Sequence, residues 1–330
     1  MEGLETVEAT AEKILKENPD PVVRFRLMWD VLKVSPNTDL FTKAKRKMLR
    51  SRWVSELKEE QEKDGGWGKF HSIDSKAKKK IKTTEIGVER GLALGLEAAD
   101  QIFQNAIRYM LRLLEGKLDF PDRPERNDRW SAGKRLFVAA TLAKIQPNLP
   151  VLDDTWELWA TIAARTFASG RYDSDAEIRA HRELTGASVK DSYLTINNRY
   201  ALALLGSRAD KLCGDVEKAL VSWLWFSKKG IGYLEVPLFS VPVHFSPSVL
   251  DRWFASLELV SCFPSWRGLA KDVVGWLWAN RGEEGLWDFG PKASTSCYFP
   301  LSESWRKKRN REHDHSVRVL TLLRKFYNLK

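Results

Sequence analysis

Two neighbouring carboxylates in segment 151–157 are the residues of this chain best suited to acid–base chemistry. Asp153 and Asp154 are adjacent, and Thr155 follows them. A hydrogen-bonded neighbour can keep one carboxyl protonated, which makes that carboxyl a proton donor. The pair also fits a simpler role, because it follows a proline loop and Glu157 comes three residues after Asp154. That is the pattern of a capping box, worth about 1 kcal/mol of helix stability.

A second polar group lies in segment 193–200, which reads Tyr-Leu-Thr-Ile-Asn-Asn-Arg-Tyr. The side chains of Asn198 and Arg199 could polarise a carboxylate, and the phenol of Tyr200 could act as an acid or a base. Neighbouring positions on a helix point about 100° apart, so Asn197 and Asn198 cannot both face one cavity. Ordinary helix polarity is therefore the alternative interpretation.

Tryptophan is unusually frequent, with 14 residues in a chain of 330. Indole rings stabilise cations and provide flat apolar surfaces for ligands. We therefore expect Trp156, Trp253 and Trp287 to line a cavity. Other tryptophans, such as Trp276 and Trp278, are two positions apart and cannot share one helix face, so a part of the set must fill space between helices.

The elements that would position these side chains are helices. Apolar residues recur at roughly helical spacing, as Val22, Phe25 and Val31 do in segment 21–33. Patterns that alternate as in a strand are almost absent, and short connections make successive helices antiparallel neighbours. The sequence predicts an all-α protein of about a dozen helices in one domain, residues 1–330. Residues 1–35 form an N-terminal helical extension that could pack on its outside.

Two glycine turns frame this pattern, Gln-Glu-Lys-Asp-Gly-Gly-Trp-Gly at 61–68 and Arg-Gly-Glu-Glu-Gly-Leu-Trp at 281–287. In both we expect a helix to end, glycine to form the turn and the indole to cover it. Gln61, Gly65 and Trp67 resemble the Gln-xxx-Gly-x-Trp turn of squalene and oxidosqualene cyclases. Segment 64–68 also resembles turns of prenyltransferase β subunits. The resemblance implies an α/α toroid, a double ring of about twelve antiparallel helices whose inner ring faces an aromatic cavity.

The resemblance to terpenoid cyclases also implies a reaction. Class II cyclases protonate an alkene with the middle acid of an Asp-x-Asp-Asp-Thr motif, and this position corresponds to Asp153, with Asp154 as its partner. Val151 stands where the first acid of that motif would be. The expected substrate is a hydrophobic or amphiphilic small molecule such as an isoprenoid, and an anionic head would be held by Arg or Lys at the cavity mouth.

Metal cofactors are not expected, although two resemblances raise them. Segment 153–157 is similar to the acidic motif that binds magnesium diphosphate in class I terpene synthases, but a matching second motif is missing. Prenyltransferase β subunits hold zinc with Asp, Cys and His, and Asp288, Cys297, His313 and His315 occupy the equivalent terminal region. The spacing between Asp288 and Cys297 differs from that pattern. His313, Asp314 and His315 would instead begin the last helix, with Asp314 as its cap.

Two other functions remain open. Polysaccharide lyases also include α/α toroids, and their Asn, His, Tyr and Arg chemistry is similar to what Asn198, Arg199 and Tyr200 could perform on a uronate; a glycan hydrolase is the related option. A toroid that has lost catalysis and binds a ligand or a protein fits the missing acid at Val151.

Charge and cysteine content limit the partners and the compartment. The net charge of +10 favours an anionic partner. The basic runs at 76–82 and 306–311 lack interleaved aromatic residues, so specific nucleic-acid binding is not expected. The three cysteines are widely spaced, and neither a secretory signal nor an apolar run of membrane-spanning length is present, which predicts a cytoplasmic protein.

Overall fold

The computed structural model describes residues 3–73, 78–124, 129–186, 194–242, 247–291 and 300–328. Within these ranges the chain forms fifteen α-helices: α1 Leu4–Lys16, α2 Pro21–Arg26, α3 Asp39–Leu49, α4 Arg52–Glu60, α5 Thr84–Leu94, α6 Gln101–Leu114, α7 Arg129–Ile145, α8 Asp153–Thr166, α9 Ser174–Thr185, α10 Arg199–Gly206, α11 Gly214–Trp225, α12 Pro247–Val260, α13 Trp266–Leu269, α14 Lys271–Ala279 and α15 Lys308–Tyr327. A π-helical turn, Leu27–Val31, continues α2.

The prediction of an all-α protein is confirmed for the described residues. Their β structure is limited to isolated bridges, Lys69 with Thr83 and Asn198 with Gly232. Two helical segments are each divided, which contributes to a helix count above the predicted dozen. Segment 39–60 forms α3 and α4, which meet at a turn around Arg50, and segment 267–280 belongs to α13 and α14. None of the described helices combines the length and apolar character that crossing a membrane requires.

The start of the last helix was predicted wrongly. It begins at Lys308 rather than at His315, so Asp314 lies inside α15 and does not cap it. The buried carboxylate of Asp314 instead accepts hydrogen bonds from the backbone N–H groups of Leu301 (2.7 Å) and Ser302 (3.0 Å). Because Asp314 lies inside α15, its side chain can bind the segment that precedes the helix to the helix itself.

Both glycine turns have the predicted geometry. In the first, Gln61 Nε2 donates to the carbonyl oxygens of Gly65 and Ile102, each at 2.9 Å, and Trp67 Nε1 donates to Leu57 O at 3.0 Å. The Trp67 side chain is fully buried. A Cβ on Gly87 of α5 would lie 2.4 Å from the indole, so glycine is required for the helix to pack this closely on the turn.

The second turn repeats these contacts with a different anchor. Arg281 Nε donates to Gly285 O at 2.8 Å, and its Nη2 donates to Thr10 Oγ1 of α1 at 2.6 Å. Trp287 Nε1 donates to Leu277 O at 2.6 Å, and the indole is also fully buried. Arg281 thus takes the place of Gln61 and additionally binds the N-terminal helix to the turn.

The contacts between helices show which helices are neighbours. Helix α10 packs against α7, α8 and α12, and α5 packs against α4, α6 and α7. Helix α15 packs against α1, α2 and the π-helical turn. Arg26 of α2 donates to the carbonyl oxygens of Leu92 (2.8 Å) and Ala93 of α5. Arg318 of α15 reaches Asp251 of α12 at 2.6 Å.

Candidate functional site

A cavity of about 560 Å³ lies among α2, α5, α7, α10, α12 and α15. This volume is within the usual range for small-molecule pockets. Its wall is mainly apolar and includes Leu92, Ala203, Leu259 and Leu322. Such a wall favours the apolar part of a ligand because burial removes apolar surface from water.

Helix α10 gives the cavity its length. Arg199, Ala203 and Ser207 all contact the cavity, and their four-residue spacing places them along one face of a helix. Eight residues at 1.5 Å rise per residue span about 12 Å. The cavity therefore extends from the first residue of α10 to the residue that follows its last turn.

Three charged side chains form a polar group in this wall. Glu89 Oε1 binds Lys144 Nζ at 3.0 Å, and the same oxygen binds Arg199 Nη2. The three side chains are mostly buried, at 18%, 25% and 22% exposure respectively. Burial alone would raise the pKa of Glu89, but the charges of Arg199 and Lys144 and their hydrogen bonds hold it below its ordinary value. Two cations thus share one ionised carboxylate.

Other cations of the wall have carboxylate partners of their own. Arg318 binds Asp251, whose side chain is fully buried, and also Glu258 at 2.5 Å. Arg26 forms an ion pair with Asp30 one turn along the chain. These pairs fix the guanidinium groups in place.

One end of the cavity opens to solvent. Cys262 and Lys325 line it and are exposed. Lys325 Nζ donates to Ser261 Oγ at 3.0 Å. The mouth therefore lies near the C-terminal ends of α10, α12 and α15, while Arg199 lies at the opposite end of α10.

A second polar cluster lies at the N-terminal ends of α5 and α10. Tyr200 Oη donates to Glu85 Oε2 at 2.9 Å and lies 3.0 Å from His71 Nδ1. His71 Nδ1 is 3.2 Å from both carboxylate oxygens of Glu85. Burial and the Glu85 charge raise the pKa of Tyr200 well above its ordinary value, so the phenol stays protonated at neutral pH. The three side chains form one contiguous hydrogen-bonded group.

Packing and a loop anchor fix this cluster. The His71 ring stacks on Phe137 with 4.3 Å between ring centroids, and the exposed Tyr233 contacts the edges of both His71 and Tyr200. The buried Asp122 carboxylate accepts the backbone N–H groups of residues 70–72 at 2.5–2.9 Å. Asp122 therefore holds the loop that carries His71.

The structure separates the predicted Asp153 and Asp154 from the cavity. Asp153 is the first residue of α8, its side chain is 52% exposed, and it binds Arg208 Nη1 at 2.7 Å. Asp154 is exposed, and neither residue lines the cavity. The capping-box alternative is wrong, because Leu152 holds the N-cap position and no side chain caps the helix. A catalytic role of the two aspartates stays a prediction.

The structure gives three different roles to the residues that were predicted to act together, Asn198, Arg199 and Tyr200. Asn198 caps α10, and its Oδ1 accepts the N–H groups of Tyr200 (3.0 Å) and Ala201 (2.8 Å). Arg199 faces the cavity, whereas Tyr200 belongs to the cluster with His71. The helix therefore starts at Arg199, and Asn198 precedes it as the N-cap instead of forming part of a helix face.

The three predicted aromatic residues are buried away from the cavity surface. Trp287 covers its glycine turn. Trp253 is fully buried and contacts Trp276 edge to face at 5.1 Å, and Trp156 is 7% exposed. None of the three is among the lining residues. They contribute to packing between helices in this structure.

The terminal region suggested for zinc has other contacts. Asp288 forms an ion pair with Arg311 at 2.8 Å, and His315 Nδ1 accepts the N–H of Phe289 at 3.0 Å. Cys297 lies outside the described residues. Among the residues that the structure describes, no three His, Cys, Asp or Glu side chains are arranged to hold a metal ion.

Sequence reasoning missed His71, Glu85, Glu89 and Lys144. Glu85 and Glu89 carried a usable signal, because a four-residue spacing places both carboxylates on one face of α5. His71 gave no such signal, since it reaches Tyr200 from a loop 129 positions earlier in the chain.

Comparisons of the chain with protein-family models, with curated proteins and with solved structures found no match. The function must therefore be inferred from the geometry of these two sites.

Proposed function

We propose that the helices form an α/α toroid and that its central cavity binds an amphiphilic, isoprenoid-like ligand. The order of neighbours supports the ring: α5, α7, α10 and α12 follow one another in contact, α15 packs on α2, and side-chain hydrogen bonds join α12 to α15 and α2 to α5. These same six helices line the cavity. They would form the inner ring, and the intervening helices the outer one.

The cavity itself is the observation that carries the binding function. Its apolar wall extends about 12 Å along α10, and charged side chains lie within that wall. A molecule with a long apolar part and a polar end has matching surfaces in such a site. Ligand binding without catalysis is one of the functions that the sequence left open.

Acid-initiated cyclisation has less support than binding. Such a reaction needs a protonated carboxyl group beside the substrate. The lining carboxylates, Glu89 and Glu258, both take part in ion pairs, and Asp153 is separate from the lining. The cavity therefore favours a ligand-binding protein of this fold class over an acid-initiated cyclase.

Filling the cavity tests the proposal. Ala203 is buried in the wall, so Ala203→Leu should remove ligand volume and weaken binding of farnesol, followed by tryptophan fluorescence, by about tenfold or more. Ala164→Leu, on the exposed side of α8, is the matched control and should bind like the unmodified protein. Equal farnesol binding by both variants, or none by the unmodified protein, would contradict the proposal.

The cluster of Tyr200, His71 and Glu85 favours a second candidate function, a lyase acting on uronate-containing glycans. Proton abstraction beside a carboxylate requires a base and an acid that both reach the substrate, and two candidate groups lie together here, with 3.0 Å between Tyr200 Oη and His71 Nδ1. The exposed ring of Tyr233 beside them offers a surface on which a sugar can stack.

The second activity is measured by mixing the protein with polyuronates and following the ultraviolet absorbance of the unsaturated product. Tyr200→Phe removes the hydroxyl and should abolish the absorbance increase, whereas Tyr327→Phe removes a hydroxyl that binds Trp278 outside the cluster and should leave it unchanged. Absence of any increase with the unmodified protein would count against the lyase and leave the cavity proposal untouched.

A further inference from the structure

We infer that helix α3 carries a docking surface for duplex DNA and binds the phosphate backbone without reading the base sequence. The surface is a basic stripe of four cations along one side of the helix, Lys43, Arg46, Lys47 and Arg50. None of these residues lines the cavity, so the inference goes beyond the proposed function and does not depend on it.

The basic stripe points away from the protein interior. Phe41, Ala44 and Met48 are the buried residues of α3, whereas all four side chains of the stripe are exposed. At 100° per residue the stripe lies on the side of the helix opposite to this buried face, and at 1.5 Å per residue it extends for about 10 Å. Asp39 is the only carboxylate in the sequence of α3, so positive charge is in excess along the stripe.

The basic stripe also lacks carboxylate partners. Among the residues that the structure describes, its four cations take part in no ion pair and no side-chain hydrogen bond. The other two basic runs, 76–82 and 306–311, hold several of their cations in ion pairs. Those pairs are Lys79–Glu62, Lys80–Glu56, Arg309–Glu284 and Arg311–Asp288. Of the three basic segments, α3 is therefore the one whose cations are available to an anionic partner.

Duplex DNA has the charge density that such a row of cations fits. It carries one negative charge per about 1.7 Å of its axis, so a stripe of about 10 Å faces about six phosphates whatever the base sequence. Lysine and arginine bind phosphate oxygens through charge-assisted hydrogen bonds, and the release of counterions from DNA drives the binding. An acidic protein would need carboxylates in one matching arrangement, and exposed ion pairs of that kind contribute little.

Membranes and single strands fit the stripe less well. A helix that lies in a membrane interface inserts an apolar face, but the apolar face of α3 is already buried against protein. The exposed Leu40 and Leu49 point about 180° apart on the helix and do not form a second such face. Single strands are held by aromatic side chains that stack on bases, and the aromatic residue of α3, Phe41, is 3% exposed.

The width of the stripe favours DNA over duplex RNA. Arg46 and Lys47 form its two edges and point about 100° apart. The major groove of B-form DNA is about 12 Å wide and admits an α-helix, whereas that of A-form RNA is deep and narrow. The stripe therefore contacts phosphates at both edges of the major groove of DNA.

Fluorescence anisotropy of a labelled DNA duplex of about 20 bp, titrated with the full-length protein at several salt concentrations, tests this inference. With four phosphate contacts, the logarithm of the binding constant should fall against the logarithm of salt concentration with a slope of about −3.6. Lys43→Gln combined with Lys47→Gln removes two contacts. The slope should then become shallower by about 1.8, and the affinity at about 50 mM salt should fall about tenfold or more. A duplex of another sequence should bind equally well.

Lys228→Gln combined with Lys229→Gln is the matched control. Both lysines are exposed and follow α11, so this variant loses the same net charge while the stripe stays intact. Its salt slope should equal that of the unmodified protein. Circular dichroism confirms that both double variants are folded, and their binding of farnesol reports on the cavity separately.

Absence of DNA binding by the unmodified protein at about 50 mM salt overturns the inference. Equal losses of affinity in the two double variants also overturn it, because net charge and not the stripe would then attract the DNA. Tighter binding of a single strand, of duplex RNA or of phosphatidylserine vesicles than of duplex DNA would assign the stripe to another partner and has the same consequence. A loss confined to the Lys43→Gln and Lys47→Gln variant, with the expected change in slope, supports the inference.

Discussion

Burial sets the protonation of individual side chains between α8 and α9. His181 of α9 is 1% exposed, and its ring meets Trp159 edge to face at 5.5 Å. Burial lowers the pKa of His181 from 6.5 to about 4. Nearby, burial raises the pKa of Glu177, which accepts hydrogen bonds from Tyr172 (2.6 Å) and the backbone N–H of Ile196 (2.5 Å). Both groups are therefore driven toward their neutral forms.

The lowered pKa of His181 predicts a loss of stability in acid. As the pH falls from 6.5 to about 4, the unfolded chain binds a proton that the buried imidazole does not, so the free energy of unfolding decreases. The pKa difference corresponds to about 3 kcal/mol. We expect His181→Gln, which cannot titrate, to lose about that much less stability than the unmodified protein between pH 7 and pH 4.

Urea denaturation at several pH values measures this difference. The raised pKa of Glu177 acts in the opposite direction, because the stability that it contributes is present at low pH and is lost as the pH rises. Glu177 Oε1 lies 3.8 Å from His181 Nε2, so Glu177→Gln, and the variant with both substitutions, are measured beside His181→Gln to separate the two titrations. Parallel pH profiles for the two proteins would show that His181 does not titrate as its burial requires.

At the scale of elements, the two glycine turns are equivalent in backbone form but differ in surroundings. Gly65 has φ +102° and Gly285 has φ +76°, values that favour glycine. A Cβ on Gly65 would lie 2.3 Å from the backbone oxygen of Asn105, whereas a Cβ on Gly285 would meet only the Arg281 guanidinium at 3.0 Å. A backbone oxygen cannot move aside as a side chain can.

These surroundings predict unequal costs for the same substitution. Gly285→Ala should destabilise the protein by about 1–2 kcal/mol, the cost of a left-handed backbone for a residue with a Cβ. Gly65→Ala adds the contact with Asn105 and should cost about 3 kcal/mol or more. Thermal unfolding of both variants measures the difference, and a cost for Gly285→Ala equal to that for Gly65→Ala would contradict it.

Local patterns predicted these turns because the residues that form them lie within a few positions of one another. Gln61, Gly65 and Trp67 form the turn with a carbonyl of the preceding helix, so their spacing alone carried the information. The start of α10 was missed for the same kind of reason, because Asn198 was read as part of a helix face although asparagine favours the N-cap. The N-cap preference of asparagine indicated the start of α10, but helical spacing pointed to an earlier start.

At the scale of the whole molecule, the sites depend on contacts between distant segments. Tyr200 binds Glu85, which lies 115 positions away in the sequence, and Lys144 binds Glu89, which lies 55 positions away. Apolar spacing predicted that these segments form helices, but it could not determine which polar side chains would meet. The all-α class was therefore predictable from the sequence, and the cavity and the His71 cluster were not.

Contacts between the two ends of the chain were likewise not predictable from local sequence patterns. Thr10 of α1 accepts a hydrogen bond from Arg281 at 2.6 Å, and Glu17 binds Arg309 of α15 at 2.9 Å. These contacts join the first seventeen residues to the C-terminal helix and its preceding turn. That residues 1–35 form an extension on the outside stays a prediction, and it is an alternative to the proposed ring, in which α2 lines the cavity.

The buried ion pair between α12 and α15 offers a test of how the chain is held together. Asp251 has a fully buried side chain and binds Arg318 at 2.6 Å, while the second partner, Glu258, has a side chain that is 39% exposed. Removing the buried carboxylate leaves Arg318 paired with the more solvated Glu258, which compensates the guanidinium charge less well, and costs about 3 kcal/mol. Asp251→Asn should therefore cost about that amount.

Glu258→Gln is the matched control, because it removes a carboxylate from the same guanidinium at a solvated position. Its expected cost is below about 1 kcal/mol. Urea denaturation monitored by tryptophan fluorescence gives both values. If α12 and α15 contributed to separate folding units, Asp251→Asn would produce a second transition. We expect a single transition shifted to lower urea, because these helices share the wall of the cavity and one buried salt bridge.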